Sequence, residues 1–222
     1  MTRRLWYHFS MKQRIHYAAI GGILFLLFFI VSFLVSRDAF DRVDFDMTVR
    51  LQDNISRRLD EPFSALSTIG SFEITSAAFF VFLVVNAART KKWHRILLFA
   101  FFILFHIVEV LGKSAIEHYG PPFMFHRNTN EFHFPSGYIS TDYFSYPSGH
   151  VGRTLFFVGI LSVLVKFQNW TLKKKIVGWG ILFAISIIMI VSRVYLGEHW
   201  LSDTIGGTLL GLSFGFLTMV FW

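Results

Sequence analysis

The chain has 222 residues, of which 54% are hydrophobic, 18% are aromatic and only 16% are charged. A soluble domain of this size cannot bury so much apolar surface, because most of a small globule lies near its surface. The composition therefore excludes an ordinary soluble enzyme and a disordered chain. The absence of Cys excludes disulfides, Cys-ligated zinc and thiol catalysis. The net charge of +7 reflects basic loops in a membrane protein, so we expect no nucleic-acid partner.

Six apolar stretches are long enough to cross a bilayer, which requires about 20 residues per helix. We predict an all-α integral membrane six-helix bundle that forms a single membrane-embedded domain over residues 1–222. The predicted helices are 15–35, 72–88, 96–112, 151–167, 176–195 and 204–222. No small-x-small cleavage site follows the first stretch, so we expect it to remain as a helix rather than to be removed as a signal peptide.

The basic residues are distributed unevenly between the two sets of loops. With a cytoplasmic N-terminus, 12 of the 21 Lys and Arg residues lie on the cytoplasmic side, with no acidic residue among them. The positive-inside rule counts Lys and Arg in short loops, so this distribution favours a cytoplasmic N-terminus and C-terminus. We therefore predict a multi-pass protein of the cell (inner) membrane in which the segments 36–71 and 113–150 face the extracytoplasmic side.

Both of these long outer segments carry a signal. In the first, apolar side chains recur at near-helical spacing from Phe45 to Leu59. This spacing predicts an amphipathic helix on the outer membrane interface, although a solvated loop helix explains it equally well. The second segment has no obvious periodic structure, and long loops of that kind are often functional. Its aromatic residues are expected either to line a lipid entrance or to form an interfacial belt; they are Phe123, Phe125, Phe132, Phe134, Tyr138, Tyr143, Phe144 and Tyr146.

The segment Tyr146-Pro147-Ser148-Gly149-His150 comes immediately before an apolar stretch. Pro and Ser at that point are typical of a helix start, with Ser148 as the N-cap. The first backbone N–H groups of a helix are unpaired and the helix dipole adds positive potential, so this helix start is a candidate anion site. Gly149 allows a ligand to approach the backbone closely. A plain helix cap explains the same residues without any ligand.

A second polar cluster follows the fifth predicted helix. His199 and Asp203 are four residues apart, so they share one face of a helix. An Asp that bonds one ring nitrogen of a His fixes the tautomer and leaves the other nitrogen free as a base or nucleophile. Arg193 offers a planar guanidinium that suits phosphate oxygens, and Lys113, at the end of the third predicted helix, adds a point charge. In the predicted topology these side chains and His150 all meet at the outer face.

These motifs resemble those of the type 2 phosphatidic acid phosphatase superfamily, which also includes the vanadium haloperoxidases. The family pattern is Lys-x6-Arg-Pro, then Pro-Ser-Gly-His, then Ser-Arg-x5-His-x3-Asp. The second motif is complete from Pro147 to His150, and the third is complete from Ser192 to Asp203. The resemblance covers the chain from about residue 15 to its end. Within the superfamily, the six-helix plan resembles the membrane lipid phosphatase branch.

The first motif departs from the family pattern. Lys113 and Pro121 stand where the pattern requires them, but Gly120 replaces the family Arg. Phosphoryl transfer depends mainly on positioned cations, so one phosphate-binding guanidinium is missing. We hypothesise that Arg127 or His118, both in the same loop, partly replaces it. Alternatively the remaining cations and backbone N–H groups suffice, or the activity is weak.

The resemblance implies a phosphatase that hydrolyses a lipid phosphate or diphosphate through a phosphohistidine intermediate. In that scheme His199 attacks phosphorus, Asp203 orients it, and His150 protonates the leaving group and then activates water. The scheme requires no metal or other cofactor. The residues expected to hold the phosphoryl oxygens are Lys113, Ser148, Gly149 and Arg193, with Arg127 as the candidate replacement.

The substrates that fit a membrane-embedded site are phosphatidic acid, phosphatidylglycerol phosphate, a polyprenyl diphosphate or a phosphorylated glycolipid, and phosphatidic acid and a polyprenyl diphosphate rank first. Transfer of the phosphoryl group to another lipid would use the same intermediate. The departure at Gly120 favours a different alternative, a catalytically degenerate protein that binds or transports lipid. An intramembrane serine protease at Ser148 would leave Lys113 and Arg193 without a role.

Other polar residues have structural interpretations. Glu109 and Glu117 lie four residues before and after Lys113, so either is expected to pair with it if the helix continues that far. His106 is expected to form a hydrogen bond between helices. A zinc site is not expected, because the spacings of the candidate ligands do not match a compact motif; these candidates are His118, His126, His133 and Glu131.

Overall fold

A computed structural model of the chain describes residues 9–127, 135 and 144–222. Over these residues the chain is helical and contains no strand. The α-helices are α1 Met11–Val35, α2 Asp41–Asn54, α3 Asp60–Ile69, α4 Phe72–Thr90, α5 Phe99–Ala115, α6 Gly149–Phe167, α7 Leu172–Tyr195 and α8 Leu201–Val220. Short 3-10 helices occupy Arg57–Leu59, Trp93–Leu98 and Phe123–Phe125.

Six of the helices are long and apolar enough to cross a membrane: α1, α4, α5 with the preceding 3-10 turn, α6, α7 and α8. This confirms the predicted all-α plan of six spans, with boundaries that differ by up to four residues. α1 begins at Met11 because Ser10 and Gln13 form a reciprocal capping box. α8 begins at Leu201 because the Asp203 carboxylate accepts the backbone N–H of Trp200 at 2.9 Å.

The first outer segment differs from the prediction, because it contains two helices rather than one. α2 ends at Asn54 and not at Leu59, and α3 follows it. The face of α2 that packs against α7 and α8 is polar: Asp44 and Thr48 are buried, whereas Phe45 is 51% exposed. The apolar side of α2 is therefore not the side in contact with the bundle. The position of α2 relative to the membrane interface stays a prediction.

α8 is packed between α1 and α6, and a stripe of glycines lies along its contact with α6. A Cβ atom at Gly207, Gly211 or Gly215 would overlap backbone atoms of α6. Small residues at four-residue spacing allow two helix backbones to touch, which is a common way for membrane helices to associate. The contact brings the starts of α6 and α8 together, and there the Ser148 N–H donates to the Asp203 carbonyl at 3.0 Å.

The glycine stripe leads to a prediction with an internal control. Gly211→Ala is expected to destabilise the fold by about 1–3 kcal/mol, because the new Cβ would overlap the backbone carbonyl of Gly152, which cannot rotate away. Gly180 lies in α7 with nothing within 4 Å of its Cβ position. Gly180→Ala is expected to be neutral or stabilising by up to about 1 kcal/mol, since Ala favours a helix over Gly.

Thermal unfolding in detergent measures both effects. The unfolding midpoint should fall for Gly211→Ala and should stay constant or rise for Gly180→Ala. Equal midpoints for the two variants would show that α6 and α8 do not touch as described.

Candidate active site

The helix ends that carry the sequence motifs lie at the same end of the bundle. Lys113 is in the last turn of α5, Ser148 and His150 are at the start of α6, and Arg193 is in the last turn of α7. His199 follows α7 in the short turn that leads to α8. Arg153, Arg193, His199 and Lys113 all lie within electrostatic range of the His150 imidazole. The structure therefore brings together the residues that the sequence analysis singled out at this face.

His199 and Asp203 form the pair that their spacing predicts. His199 Nδ1 lies 3.3 Å from Asp203 Oδ2, and the Asp203 side chain is fully buried. An aspartate in this position holds the Nδ1–H and leaves Nε2 with a free lone pair. The pair is therefore arranged for a base or nucleophile at Nε2.

Ser145 lies against this pair, although the sequence analysis did not single it out. Its hydroxyl donates to Asp203 Oδ2, and its Oγ lies 3.1 Å from His199 Nδ1. Its backbone carbonyl accepts from Lys113 Nζ at 3.1 Å, and its N–H donates to the carbonyl of His118 at 2.9 Å. One residue thus connects three parts of the site. Its only sequence signal is its position beside the Pro-Ser-Gly-His motif.

Ser148 is the N-cap residue of α6, as predicted, but its hydroxyl does not form a capping hydrogen bond. Within the part of the chain that the structure describes, Ser148 Oγ is buried and has no hydrogen-bond partner. A buried hydroxyl without a partner is unfavourable, and an anion oxygen is an acceptor to which it can donate. This geometry agrees with an anion site at the start of α6.

Gly149 has a packing role that the sequence did not indicate. A Cβ atom at this position would overlap the carboxylate of Glu109 and would come within 2.7 Å of Arg153 Nη1. Arg153 Nη1 lies 3.3 Å from Glu109 Oε2, and His106 Nδ1 lies 3.0 Å from the same oxygen. A buried ion pair between α5 and α6 therefore occupies the space beneath the start of α6.

Two expectations about these polar residues were wrong. Glu109 pairs with Arg153 rather than with Lys113, and the hydrogen bond of His106 is to Glu109 on the same helix rather than to another helix. Glu117 lies beyond the end of α5 at Ala115, so it does not share a helix face with Lys113. The four-residue spacing between Glu109 and Lys113 could not show that Arg153, on a neighbouring helix, would be the partner of Glu109.

Arg193 is completely buried and its guanidinium is well supplied with partners. Arg193 Nη1 lies 2.5 Å from Glu198 Oε2 and also donates to the Ser67 hydroxyl, while Nη2 donates to the Phe63 carbonyl at 3.0 Å. Ser67 and Phe63 belong to α3, a helix that the sequence analysis did not predict. The first outer segment therefore positions the guanidinium of the third motif.

The residues around the missing Arg of the first motif lie near the same site. A Cβ at Gly120 would be 3.5 Å from Ser145 Oγ, so the family Arg side chain would begin beside the His–Asp pair. His118 is buried, and its Nε2 lies 3.6 Å from Asp203 Oδ1 and 3.8 Å from Asp44 Oδ2. His118 therefore faces two carboxylates.

Arg127 contacts α2 and the end of α7. Its Nη1 donates to the Gln52 carbonyl at 3.3 Å, and its Cζ lies 5.1 Å from the centre of the Tyr195 ring. Its backbone N–H donates to the Leu196 carbonyl at 2.9 Å. These contacts attach the loop to the third motif. A role for Arg127 in phosphate binding stays a prediction.

Asp44 of α2 holds the start of α8. Its carboxylate accepts from the Ser202 backbone N–H at 2.8 Å and from the Ser202 hydroxyl at 2.6 Å, one residue before Asp203. Burial raises the pKa of Asp44 and the charge of Asp203 raises it further, while the Ser202 hydrogen bonds oppose the shift. The available sequence signal was the polar spacing of Asp44, Thr48 and Gln52 along one face of α2.

Several other expectations concern the second outer segment. Among residues 9–127, 135 and 144–222, no group of three or more His, Asp or Glu side chains is suited to hold a metal ion. Phe125 and Tyr146 are buried, whereas Phe123 is 87% exposed, so these three members of the aromatic set differ in their exposure. The candidates that lie outside the described residues are Glu131, Phe132, His133, Phe134, Tyr138 and Tyr143.

Comparison with protein families agrees with the motifs. The model described as the PAP2 superfamily matches residues 93–222, which contain all three motif segments. This chain belongs to the PAP2 superfamily. The family resemblance seen in the sequence is thereby confirmed, and the departure at Gly120 is a feature of this PAP2 protein.

Individual relatives of this PAP2 protein are bacterial. It is 29% identical over 131 residues to phosphatidylglycerophosphatase B of Bacillus subtilis (strain 168), and this match spans 59% of each chain. The crystal structure of a transmembrane PAP2 type phosphatidylglycerolphosphate phosphatase from Bacillus subtilis has a TM-score of 0.72 at 24% identity and covers 90% of this chain and 94% of its own. Aquifex aeolicus LpxE has a TM-score of 0.54 at 17% identity and covers 80% of this chain and 94% of its own. The two structures establish the fold.

The raised pKa of Asp44 leads to a prediction about stability and pH. The folded protein binds the Asp44 proton more tightly than the unfolded chain does, so the stability from that proton is present at low pH. It is lost as the pH rises from about 4, the ordinary range of Asp, through the higher value of the folded state. Asn at position 44 has no proton to lose in this range. The unfolding midpoint of Asp44→Asn should therefore rise relative to that of wild type as the pH increases.

The control for this prediction is Asp46→Asn on the same helix. Asp46 is half-exposed, and its ion pair with Arg42 Nε, at 4.0 Å, lies at the surface, where such pairs contribute little to stability. Its midpoint should follow that of wild type at each pH. A pH-independent difference between Asp44→Asn and wild type would contradict the assignment to Asp44.

Proposed function

We propose that this PAP2 protein is an integral membrane phosphatase that hydrolyses a lipid phosphate or diphosphate through a phosphohistidine intermediate. The single observation that carries the proposal is the His199–Asp203 pair with the charges of Lys113 and Arg193 and a second imidazole, His150, close by at one end of the bundle. Lone imidazoles at a membrane surface have many roles. A His–Asp pair beside a second His and two cations is suited to phosphoryl transfer.

The proposed reaction has two steps. In the first, His199 Nε2 forms a bond to phosphorus while the bond from phosphorus to the leaving oxygen breaks, and His150 gives its proton to that oxygen. In the second, His150 takes a proton from water as the water oxygen attacks phosphorus and the bond to Nε2 breaks. Asp203 stabilises the positive charge on the His199 ring in both steps. The products are the original enzyme, inorganic phosphate and the lipid that has lost one phosphoryl group, which is an alcohol from a monoester and a lipid monophosphate from a diphosphate.

The hydrogen-bond donors of the site differ in how far they are already engaged, and this difference indicates which of them are available to phosphate. Ser148 Oγ is buried without a hydrogen-bond partner among the described residues, and the Gly149 N–H belongs to the first turn of α6. Lys113 Nζ donates to one carbonyl, that of Ser145, within the described part of the chain. Arg193 is already paired with Glu198, so a phosphoryl group shares that guanidinium with a carboxylate. We assign the first phosphate contacts to Ser148, Gly149 and Lys113.

The charge balance of the site favours a phosphate monoester over a diphosphate. Gly120 removes one guanidinium from the family pattern, and Glu198 neutralises part of another. A diphosphate carries more negative charge than a monoester and therefore requires more positioned cations. The relatives named for phosphatidylglycerophosphate hydrolysis agree with this preference. We propose phosphatidylglycerol phosphate as the first substrate to test, followed by phosphatidic acid and a polyprenyl diphosphate.

Phosphate release from these three lipids by the purified protein tests the proposal. His199→Ala and His150→Ala are each expected to lower turnover by at least about 100-fold, the scale of losing a nucleophile or a general acid. The matched control is His16→Ala in α1, at the opposite end of the bundle, which should retain wild-type turnover. Protein labelled with radioactive phosphate should carry an acid-labile, base-stable bond that His199→Ala abolishes.

The same experiment distinguishes the alternatives. A wild-type protein that binds these lipids but releases no phosphate would indicate a degenerate lipid-binding protein. Turnover that survives in His199→Ala would remove the phosphohistidine from the mechanism.

The charge distribution supports an extracytoplasmic active site, which we also propose. Because the chain has no Cys, single cysteines report membrane sidedness without background. Met124→Cys lies in the loop at the active-site end, where Met124 is 82% exposed, and Lys173→Cys lies at the opposite end. A membrane-impermeant maleimide should label Met124→Cys in intact cells and Lys173→Cys only after permeabilisation. The reverse pattern would place the active site in the cytoplasm.

A further inference from the structure

The position of Ser145 relative to the His–Asp pair has a chemical consequence. A serine hydroxyl has one proton and two acceptor lone pairs. The Ser145 proton is donated to Asp203 Oδ2, so toward His199 Nδ1, at 3.1 Å, the oxygen presents a lone pair. An acceptor at that position requires that Nδ1 carry the proton. The hydroxyl and the carboxylate therefore favour the same tautomer, with the lone pair on Nε2.

We propose that Ser145 is a positioning residue for the nucleophile, holding His199 in the Nδ1–H tautomer and fixing the plane of its ring. The proposal rests on the function proposed above. His199 Nδ1 is 3.3 Å from Asp203 Oδ2, a long contact for a hydrogen bond to a carboxylate. Ser145 Oγ is closer to His199 Nδ1 than Asp203 Oδ2 is. Asp203 alone therefore orients the ring less strongly than a carboxylate at a shorter distance would.

The other contacts of Ser145 make this role separable from substrate binding. Lys113 Nζ bonds the Ser145 carbonyl, and the Ser145 N–H bonds the carbonyl of His118. Both contacts use the backbone and persist in Ser145→Ala. The variant therefore removes only the hydroxyl beside His199 and leaves the phosphate-binding lysine in place.

The neighbourhood of Gly120 allows a conservative variant as well. No side chain extends from position 120, and its Cβ position is 3.5 Å from Ser145 Oγ and 3.6 Å from Ser145 Cβ. Ser145→Thr keeps a hydroxyl for the bonds to Asp203 and His199 and adds one methyl group beside a residue that has no side chain. Rescue by Thr distinguishes a role of the hydroxyl from a general effect on packing.

Steady-state kinetics of the full-length protein on phosphatidylglycerol phosphate provides the first test. Ser145→Ala is expected to lower kcat by about 10- to 100-fold, the scale of loss when a group that orients a metal-binding histidine is removed. Its KM should stay within about twofold of wild type, since the lost interaction is not with bound substrate. Ser145→Thr should restore kcat to within about threefold. The control Ser114→Ala, whose hydroxyl donates to the Leu111 carbonyl, should match wild type in both constants.

Vanadate binding provides the second test and does not depend on the choice of lipid. Vanadate adopts the five-coordinate geometry of phosphoryl transfer, and His199 Nε2 is the nitrogen that would bond its vanadium. The affinity, measured from the vanadate-induced rise in unfolding midpoint, should be about 10-fold weaker in Ser145→Ala and close to wild type in Ser145→Thr.

The outcomes separate this inference from the proposed function. Equal vanadate affinity and equal kcat in wild type and Ser145→Ala would overturn the role of Ser145 and leave the phosphatase proposal intact. Vanadate weakened by Ser145→Ala, together with no hydrolysis of any lipid, would support the positioning role and overturn the activity. A wild-type protein that neither binds vanadate nor hydrolyses lipid phosphates would overturn both.

Discussion

The active-site end of the molecule depends on how closely the backbones of α6 and α8 approach each other. Gly207, Gly211 and Gly215 remove the side chains that would keep the two helices apart, and each costs about 1 kcal/mol of helix propensity relative to Ala. Close packing compensates for that cost in a bilayer, where hydrophobic association between helices is weak. The consequence is chemical as well as structural, because the start of the Pro-Ser-Gly-His helix is hydrogen-bonded to the Asp203 backbone.

The second constraint is the low polarity of the surroundings. Charges at the end of a membrane bundle are unfavourable unless they are paired, and this protein pairs them across elements. Glu109 is paired with Arg153 between α5 and α6, and Arg193 is paired with Glu198 and held by α3. The buried hydroxyl of Ser148 differs from these paired charges. It is an unpartnered donor among the described residues, at the start of the helix where an anion is favoured.

The first outer segment acts as a scaffold for the site. α2 directs a polar face inward, from which Asp44 bonds Ser202 and Gln52 bonds the carbonyl of Tyr195. α3 supplies the hydroxyl of Ser67 to the buried guanidinium of the third motif. Since these contacts approach the site from outside the six spans, residues far from the family motifs set the orientation of motif side chains.

The sequence by itself determined the features that depend on local spacing. Apolar stretch length determined the six spans, and the four-residue interval placed His199 and Asp203 on one face, because both follow from the geometry of a single helix. Tertiary structure alone decided which distant groups join them. Ser145 meets Asp203 across 58 residues of chain, and Asp44 meets Ser202 across 158. Such contacts depend on how whole helices pack, and no interval within one helix encodes that packing.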